Sequence, residues 1–344
     1  MEQTQRSTAI PTKGLLPDRL RSVLKSAGLT PAALILWAIL AIAPLFIKNE
    51  YFLRLIVVSL LFGAQAMAFD LTVGYINVVN FGFAAFVGLG AYASGLLAVK
   101  LGLSPWLGFI VGPIAAGILG FVTGVLTLRL RGIYAAVMAW FVGLALMGLA
   151  TVLVDLTRGQ LGLVTPLLLK ANAQLPYFYV LLPIAFGIYV ILKLVTNSNI
   201  GLAFKALGQN LDAARASGID PVRYRVLNFT LSCTLAGFLG VFYAHYVGIL
   251  TPSVMATKAT VEVLAIDYIG GRGFIWGGML AAFLVIPVFE YLRPLMELRY
   301  VIYGVFLILT MIFYPGGLVG VIQGVGRRIA KVLSPGDSKG AGAG

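Results

Sequence analysis

Eight apolar stretches of membrane-crossing length constrain this chain more than any other feature. Residues 31–47, 51–69, 106–128, 134–154, 177–192, 226–247, 275–292 and 301–313 carry at most one formal charge each. A run of about 20 apolar residues spans a hydrocarbon layer as an α-helix, because a helix satisfies its own backbone N–H and C=O groups where no water can. The runs do not alternate apolar and polar at every second residue, which excludes a transmembrane β-barrel. Composition agrees: 60% of the 344 residues are hydrophobic and 11% charged, too little polar surface for a soluble globule of this size. The fold class is an all-α polytopic membrane protein.

Two further stretches are apolar but broken by glycine and polar residues, 69–86 and 266–278. Counting each as a broken or re-entrant crossing raises the total to about ten and puts both termini on one side. The basic residues agree with that parity. With the N-terminus inside, seventeen of the 25 Lys and Arg fall on the inner loops and eight on the outer ones, the positive-inside asymmetry. The net charge of +13 thus reports orientation, and nucleic acid is not an expected partner. Residues 1–30 read as a basic cytoplasmic segment without a small-residue cleavage site, so residues 31–47 are expected to stay as a start-transfer helix. Residues 31–320 form the transmembrane domain, and 321–344 a flexible cytoplasmic tail. The lone cysteine, Cys233, excludes an intrachain disulfide.

The two broken stretches fall in comparable places of the two halves, each with an aspartate ahead of its glycines: Asp70 before Gly74, and Asp267 before Gly270. Paired interruptions of this kind mark a midplane path built from half-helices. Carboxylates inside a membrane are costly and tend to be functional. The expected path residues are Asp70, Tyr75, Asn77, Asn80, His245, Glu262 and Asp267. Blander readings stand beside these. Gly112, Gly117, Gly120 and Gly124 form a small-residue packing face, a lone histidine can be a packing group, and Glu262 at a helix start is favourable on dipole grounds alone.

Residues 205–225, "KALGQNLDAARASGIDPVRYR", are the longest polar stretch between the apolar runs. Asn210 is a helix N-cap, Gly218 a helix stop, and Asp220–Pro221 a second cap leading into the run that begins at Val226. The spacing predicts a short helix along the cytoplasmic face, with Ala213, Ala214 and Ala216 open to close contact and Lys205, Arg215, Arg223 and Arg225 around it. A docking element for a cytoplasmic partner explains its compactness, and a plain surface helix is the alternative.

These residues resemble the cytoplasmic loop of ABC-transporter permeases of the branched-chain amino acid type. Asn210, Ala213, Ala214, Gly218 and Ile219 match the pattern Asn-x-x-Ala-Ala-x-x-x-Gly-Ile, while Gly208, Gln209 and Leu211 depart from the charged residues usual there. Further similar motifs follow in family order: "GYINVVNFGFAAFVGLGAYA", "LRLRGIY", "LTRGQLGL", "LAGFLGVFYAHYVGILTPSV", "IGGRGFIWGGMLAA" and "IYGVFLILTMIFYPGGLVG". The resemblance runs from about residue 51 to 320.

The resemblance implies a permease subunit of an importer for branched-chain amino acids or a related small polar or organic-acid solute, in a bacterial inner membrane. It implies as partners a second homologous permease, two cytoplasmic ATPase subunits and a periplasmic solute-binding protein. Docking is implied for Lys205, Asn210, Ala213, Ala214, Gly218 and Ile219 within a coupling loop of residues 196–225. The chain has no Gly-x4-Gly-Lys-Ser/Thr loop, so ATP is expected to be hydrolysed by the partner subunits, with no cofactor bound here. The alternative is a stand-alone ion-coupled carrier or channel using Asp70 and Asp267. A membrane enzyme lacks the residues: one histidine and no metal-ligand spacing.

Overall fold

The computed structural model describes residues 28, 31–128, 130, 132–169, 173–296, 298–314 and 316–324. Nearly all of the expected N-terminal segment, the end of the tail from residue 325, and Arg129, Arg131 and Lys170 lie outside the described residues. The helices, in chain order, are α1 (Pro31–Ile42), α2 (Glu50–Asp70), α3 (Phe83–Lys100), α4 (Gly108–Thr127), α5 (Ile133–Val152), α6 (Gln174–Thr196), α7 (Asn199–Gln209), α8 (Leu211–Ala216), α9 (Pro221–Val247), α10 (Thr257–Gly270), α11 (Ile275–Tyr291) and α12 (Leu298–Phe313). Six are long and apolar enough to cross a membrane: α2 with its extension, α3, α4 with the turn before it, α5, α6 and α9. Counting each bent pair as one span gives eight, the larger bend being the 112° between α10 and α11.

α9 is the central post. Its sides are occupied by α4, α3 and α2, and the glycines of α4 explain the first of these contacts. A side chain at Gly112, Gly117, Gly120 or Gly124 would run into Val241, Thr234, Cys233 or Val226 of α9. These glycines serve close packing. Polar pins reinforce the post from α2: Ser232 Oγ donates to the Ala68 carbonyl and Asn228 Nδ2 to the Leu71 carbonyl, both at 2.8 Å. Such bonds are favoured because an unpaired polar group in this interior costs several kcal/mol. On its other side α2 packs along α11 and α6.

The interruption expected around Asp70 takes a different form. α2 does not stop at Asp70; one π-helical turn, Leu71–Tyr75, carries it on to a 26-residue span. The irregular chain comes afterwards, at residues 76–82. Gly74 is no helix breaker: any side chain there would occupy the space of the Asp70 carboxylate and the Gly273 amide. Where a half-helix is expected to end, the chain is therefore a full-length helix. The second interruption does bend the chain, between α10 and α11, and a second irregular stretch at residues 248–256 precedes α10. Part of that stretch is β2 (Ile249–Leu250), paired antiparallel with β1 (Leu163–Val164).

Candidate functional site

At one end of the bundle stands the polar segment. Ser198 caps α7, its Oγ accepting from the Ile200 N–H at 3.2 Å. Asn210 breaks the helix and caps α8, its Oδ1 accepting from the N–H groups of Asp212 and Ala213 at 3.0 Å each. α8 ends on Gly218, whose φ of +83° is the left-handed conformation that glycine adopts without strain, and the Ile219 N–H returns to the Ala214 carbonyl at 3.1 Å. Asp220 Oδ1 then accepts from the Val222 N–H at 2.9 Å, with Pro221 as the first residue of α9.

The caps follow the sequence reading, but the exposure of the side chains differs from it. Ala213, Arg215 and Ala216 are exposed, Ile219 is half-buried, and Ala214 is buried against this chain, so only one of the adjacent alanines faces outward. One turn of helix cannot present successive residues to the same side. Arg225 is also buried, with Nη2 bonded to the carbonyls of Thr127 and Leu130 at 3.3 and 3.4 Å, where it ties down the turn between α4 and α5.

α7 presses directly on the end of α2. A methyl group on Gly208 would collide with the Tyr75 carbonyl oxygen, and Lys205 Nζ lies 5.5 Å from the centre of the Tyr75 ring. Below this contact the turn between α10 and α11 is held from α2 and the chain after it. Asp70 Oδ1 accepts from the Gly273 N–H at 2.7 Å, the Tyr75 hydroxyl donates to the Gly273 carbonyl at 3.4 Å, and Arg272 Nη1 donates to Asn77 Oδ1 at 3.3 Å. Gly273 itself has φ +78°. Asp267 lies within electrostatic reach of Asp70 and Arg272. Both aspartates are 1% exposed, and each keeps one oxygen, Oδ2, without a hydrogen-bond partner.

Asp70, Tyr75 and Asn77 therefore do gather with Asp267, 190 to 197 residues further along the sequence, but around a tight turn. Asn80 is elsewhere: its Oδ1 accepts from the Gly82 N–H at 3.1 Å and its Nδ2 reaches Cys233 Sγ at 3.8 Å. His245 sits nearer the other end, fully buried, with Nε2 2.7 Å from Ser94 Oγ and Nδ1 2.7 Å from the Pro166 carbonyl. A carbonyl can only accept, so Nδ1 carries the proton and Nε2 accepts from Ser94. Both nitrogens are engaged in holding the loop beside β1.

Glu262 belongs to a third place. A cavity of about 320 Å³ is lined by Phe62, Gln65, Val87, Tyr243, Lys258 and Glu262, among others. Ser253, Val254 and Ala256 of the irregular stretch before α10 also line it. The Ala84 N–H donates to Thr260 Oγ1 at 3.0 Å, so this part of α10 lies beside the start of α3, sixteen residues and about 24 Å from Lys100. Lys258 is exposed and Glu262 half-buried at that depth. The sequence reading missed Gln65, Lys258 and Gly208. Gln65 carried the one usable signal, an amide within an otherwise apolar run.

The fold and these sites define a polytopic α-helical membrane protein with a short capped helix at one end of the bundle and a cavity lined by Lys258 and Glu262 beside the start of α3. The sequence profile of the family described as "Branched-chain amino acid transport system / permease component" matches residues 51–311. The chain belongs to that family. It is 26% identical over 310 residues to the high-affinity branched-chain amino acid transport system permease protein LivM of Escherichia coli (strain K12), covering 82% of this chain and 73% of the relative. It is 24% identical to the probable branched-chain amino acid transport permease protein LivH of Methanocaldococcus jannaschii, over 74% of this chain and 88% of that one. The autoinducer 2 import system permease protein LsrC of Yersinia pseudotuberculosis serotype O:3 is 27% identical, over 64% and 60%. No solved structure matched.

Proposed function

We propose that this chain is the permease subunit of an ABC importer in a bacterial inner membrane, passing a branched-chain amino acid or a related small solute inward. Separate ATPases dock on residues 205–219, a second permease chain lies alongside, and an external binding protein delivers the solute. ATP is handled by the partners, and this chain binds no cofactor. The observation that carries the reading is α8, a helix of six residues capped at both ends, with Ala213 and Ala216 outward and Ala214 anchoring it inward. A freely solvated loop has no need of such bracing. Similarity to both a LivM and a LivH supports a paired permease.

The proposed topology is about ten traverses in two related halves, α1 to α5 and α6 with α9 to α12, α7 and α8 lying between α6 and α9; six helices have the length and apolarity of a span, or eight with each bent pair counted as one. On this reading the matched irregular stretches are 76–82, between α2 and α3, and 248–256, between α9 and α10. Both termini share the cytoplasmic face of α8. The solute path runs along the cavity of Gln65, Lys258 and Glu262. Charges at that depth are too costly to face lipid, so this surface meets water or the second permease. The ion-coupled alternative has less support, because Asp70 is already engaged by Gly273 and neither aspartate lines the cavity at Glu262.

The test is Ala213→Trp in the assembled transporter. The variant is expected to remain in the membrane at wild-type level while losing solute-stimulated ATP hydrolysis. Normal stimulation would refute docking on α8.

A further inference from the structure

We infer that the docking face is coupled to the membrane interior through one clamp, in which Gly208, Tyr75, Asp70 and Gly273 are the positioning residues. This rests on the docking role proposed above. Three independent contacts form the line. α7 touches the end of α2 at Gly208, where only hydrogen fits against the Tyr75 carbonyl. The same tyrosine reaches across to the Gly273 carbonyl, and Asp70, one helical turn earlier, takes the Gly273 N–H at 2.7 Å. Gly273 lies in the four-residue turn that joins α10, which carries Lys258 and Glu262, to α11.

The line is stiff at each step. Only the extended residue Asn210 separates α8 from α7, and its side chain caps α8, so a push on α8 moves α7. α7 has no side chain at Gly208 to act as a cushion, and the transmitted displacement falls on backbone. The Asp70 bond is short and buried, in an interior of low dielectric that strengthens it, and it grips the turn by its main chain. A cavity of about 230 Å³ beside the clamp is lined by Ile76, Asn77, Gly208, Leu211 and Asp212, so the chain leaving Tyr75 has room to move when α7 does. α10 is the lever: its far end forms the wall of the charged cavity about 15–20 Å from the turn.

The experiment uses the complete transporter in liposomes, with its ATPase and binding protein, and reads solute taken up per ATP hydrolysed. Asp70→Ala, which cuts the bond to Gly273, is expected to lower that ratio at least tenfold with ATP hydrolysis retained. Asp70→Asn, whose Oδ1 still accepts from Gly273, is expected to stay within twofold of wild type. Gly208→Ala is expected to uncouple as Asp70→Ala does, whereas Gly187→Ala, which meets nothing within 4 Å, leaves the ratio unchanged. The clamp is overturned by a wild-type ratio in Gly208→Ala or in a well-inserted Asp70→Ala, or by Asp70→Asn failing as badly as Asp70→Ala. If Asp70→Ala does not insert, Gly208→Ala decides. A wild-type chain with no ATP-dependent uptake would overturn instead the function on which the clamp rests.

Discussion

The two irregular stretches between long helices, 76–82 and 248–256, are treated differently by the rest of the molecule. Beyond its first residues, which border a cavity of about 230 Å³ with Asn77 exposed, the first is stitched shut. Val78 N–H bonds to the Thr72 carbonyl, Asn80 caps the turn at Gly82, and Gly82 lies so close to the Ala139 carbonyl of α5 that no side chain fits. The second is open on one side: Ser253 is exposed, Thr251 and Ser253 bond to each other, and Val254 and Ala256 border the cavity of Lys258 and Glu262. Irregular backbone in a membrane must be buried in protein or line a watery space. Asn80 and Gly82 are buried in protein, whereas Ser253, Val254 and Ala256 border a cavity. The lesson is that an interruption alone does not mark a solute path; what it is packed against decides.

The largest expected effect breaks the closed stretch. Asn80→Leu leaves the buried Gly82 N–H unpaired, a loss of about 1–3 kcal/mol, and is expected to lower the thermal midpoint of the detergent-purified protein by several degrees. Ser253→Ala, its counterpart in the open stretch, is expected to leave that midpoint unchanged, and an equal loss in both would erase the distinction. Next comes Glu262→Gln, expected to reduce uptake roughly tenfold, about 1.4 kcal/mol in the transition barrier, with membrane level and thermal midpoint intact. Uptake at the wild-type rate would remove Glu262 from the path. The smallest effect is one of access. In a Cys233→Ser background, Ser253→Cys is expected to react with a membrane-impermeant thiol reagent while Asn80→Cys stays unlabelled until the protein is denatured. Labelling of both at similar rates would show the first stretch to be open as well.

Much of the architecture is legible in the residues themselves. Helix positions follow from apolar runs, since in hydrocarbon a segment of that length has no alternative to satisfying its own backbone. The caps at Asn210 and Asp220 and the stop at Gly218 are equally local: a side-chain oxygen reaching an amide two or three residues on depends on nothing distant. The same local logic failed at Gly74, read as a break in a helix that in fact continues, because the cause of that glycine is the Gly273 amide on another element.

What the chain by itself determined, then, is its class, the positions of its long apolar helices and the capped helix at residues 211–216. Only the tertiary structure decided which polar groups share a site. Asp70 belongs with Gly273, Asn77 with Arg272, Asn80 with Cys233 and Ser94 with His245, in each case on a partner more than 150 residues away. In an apolar interior a polar side chain is stabilised by finding a partner. The helix that supplies it is chosen by packing geometry, of small residues against backbone and of ridges into grooves, and a linear pattern of residues carries no record of that choice.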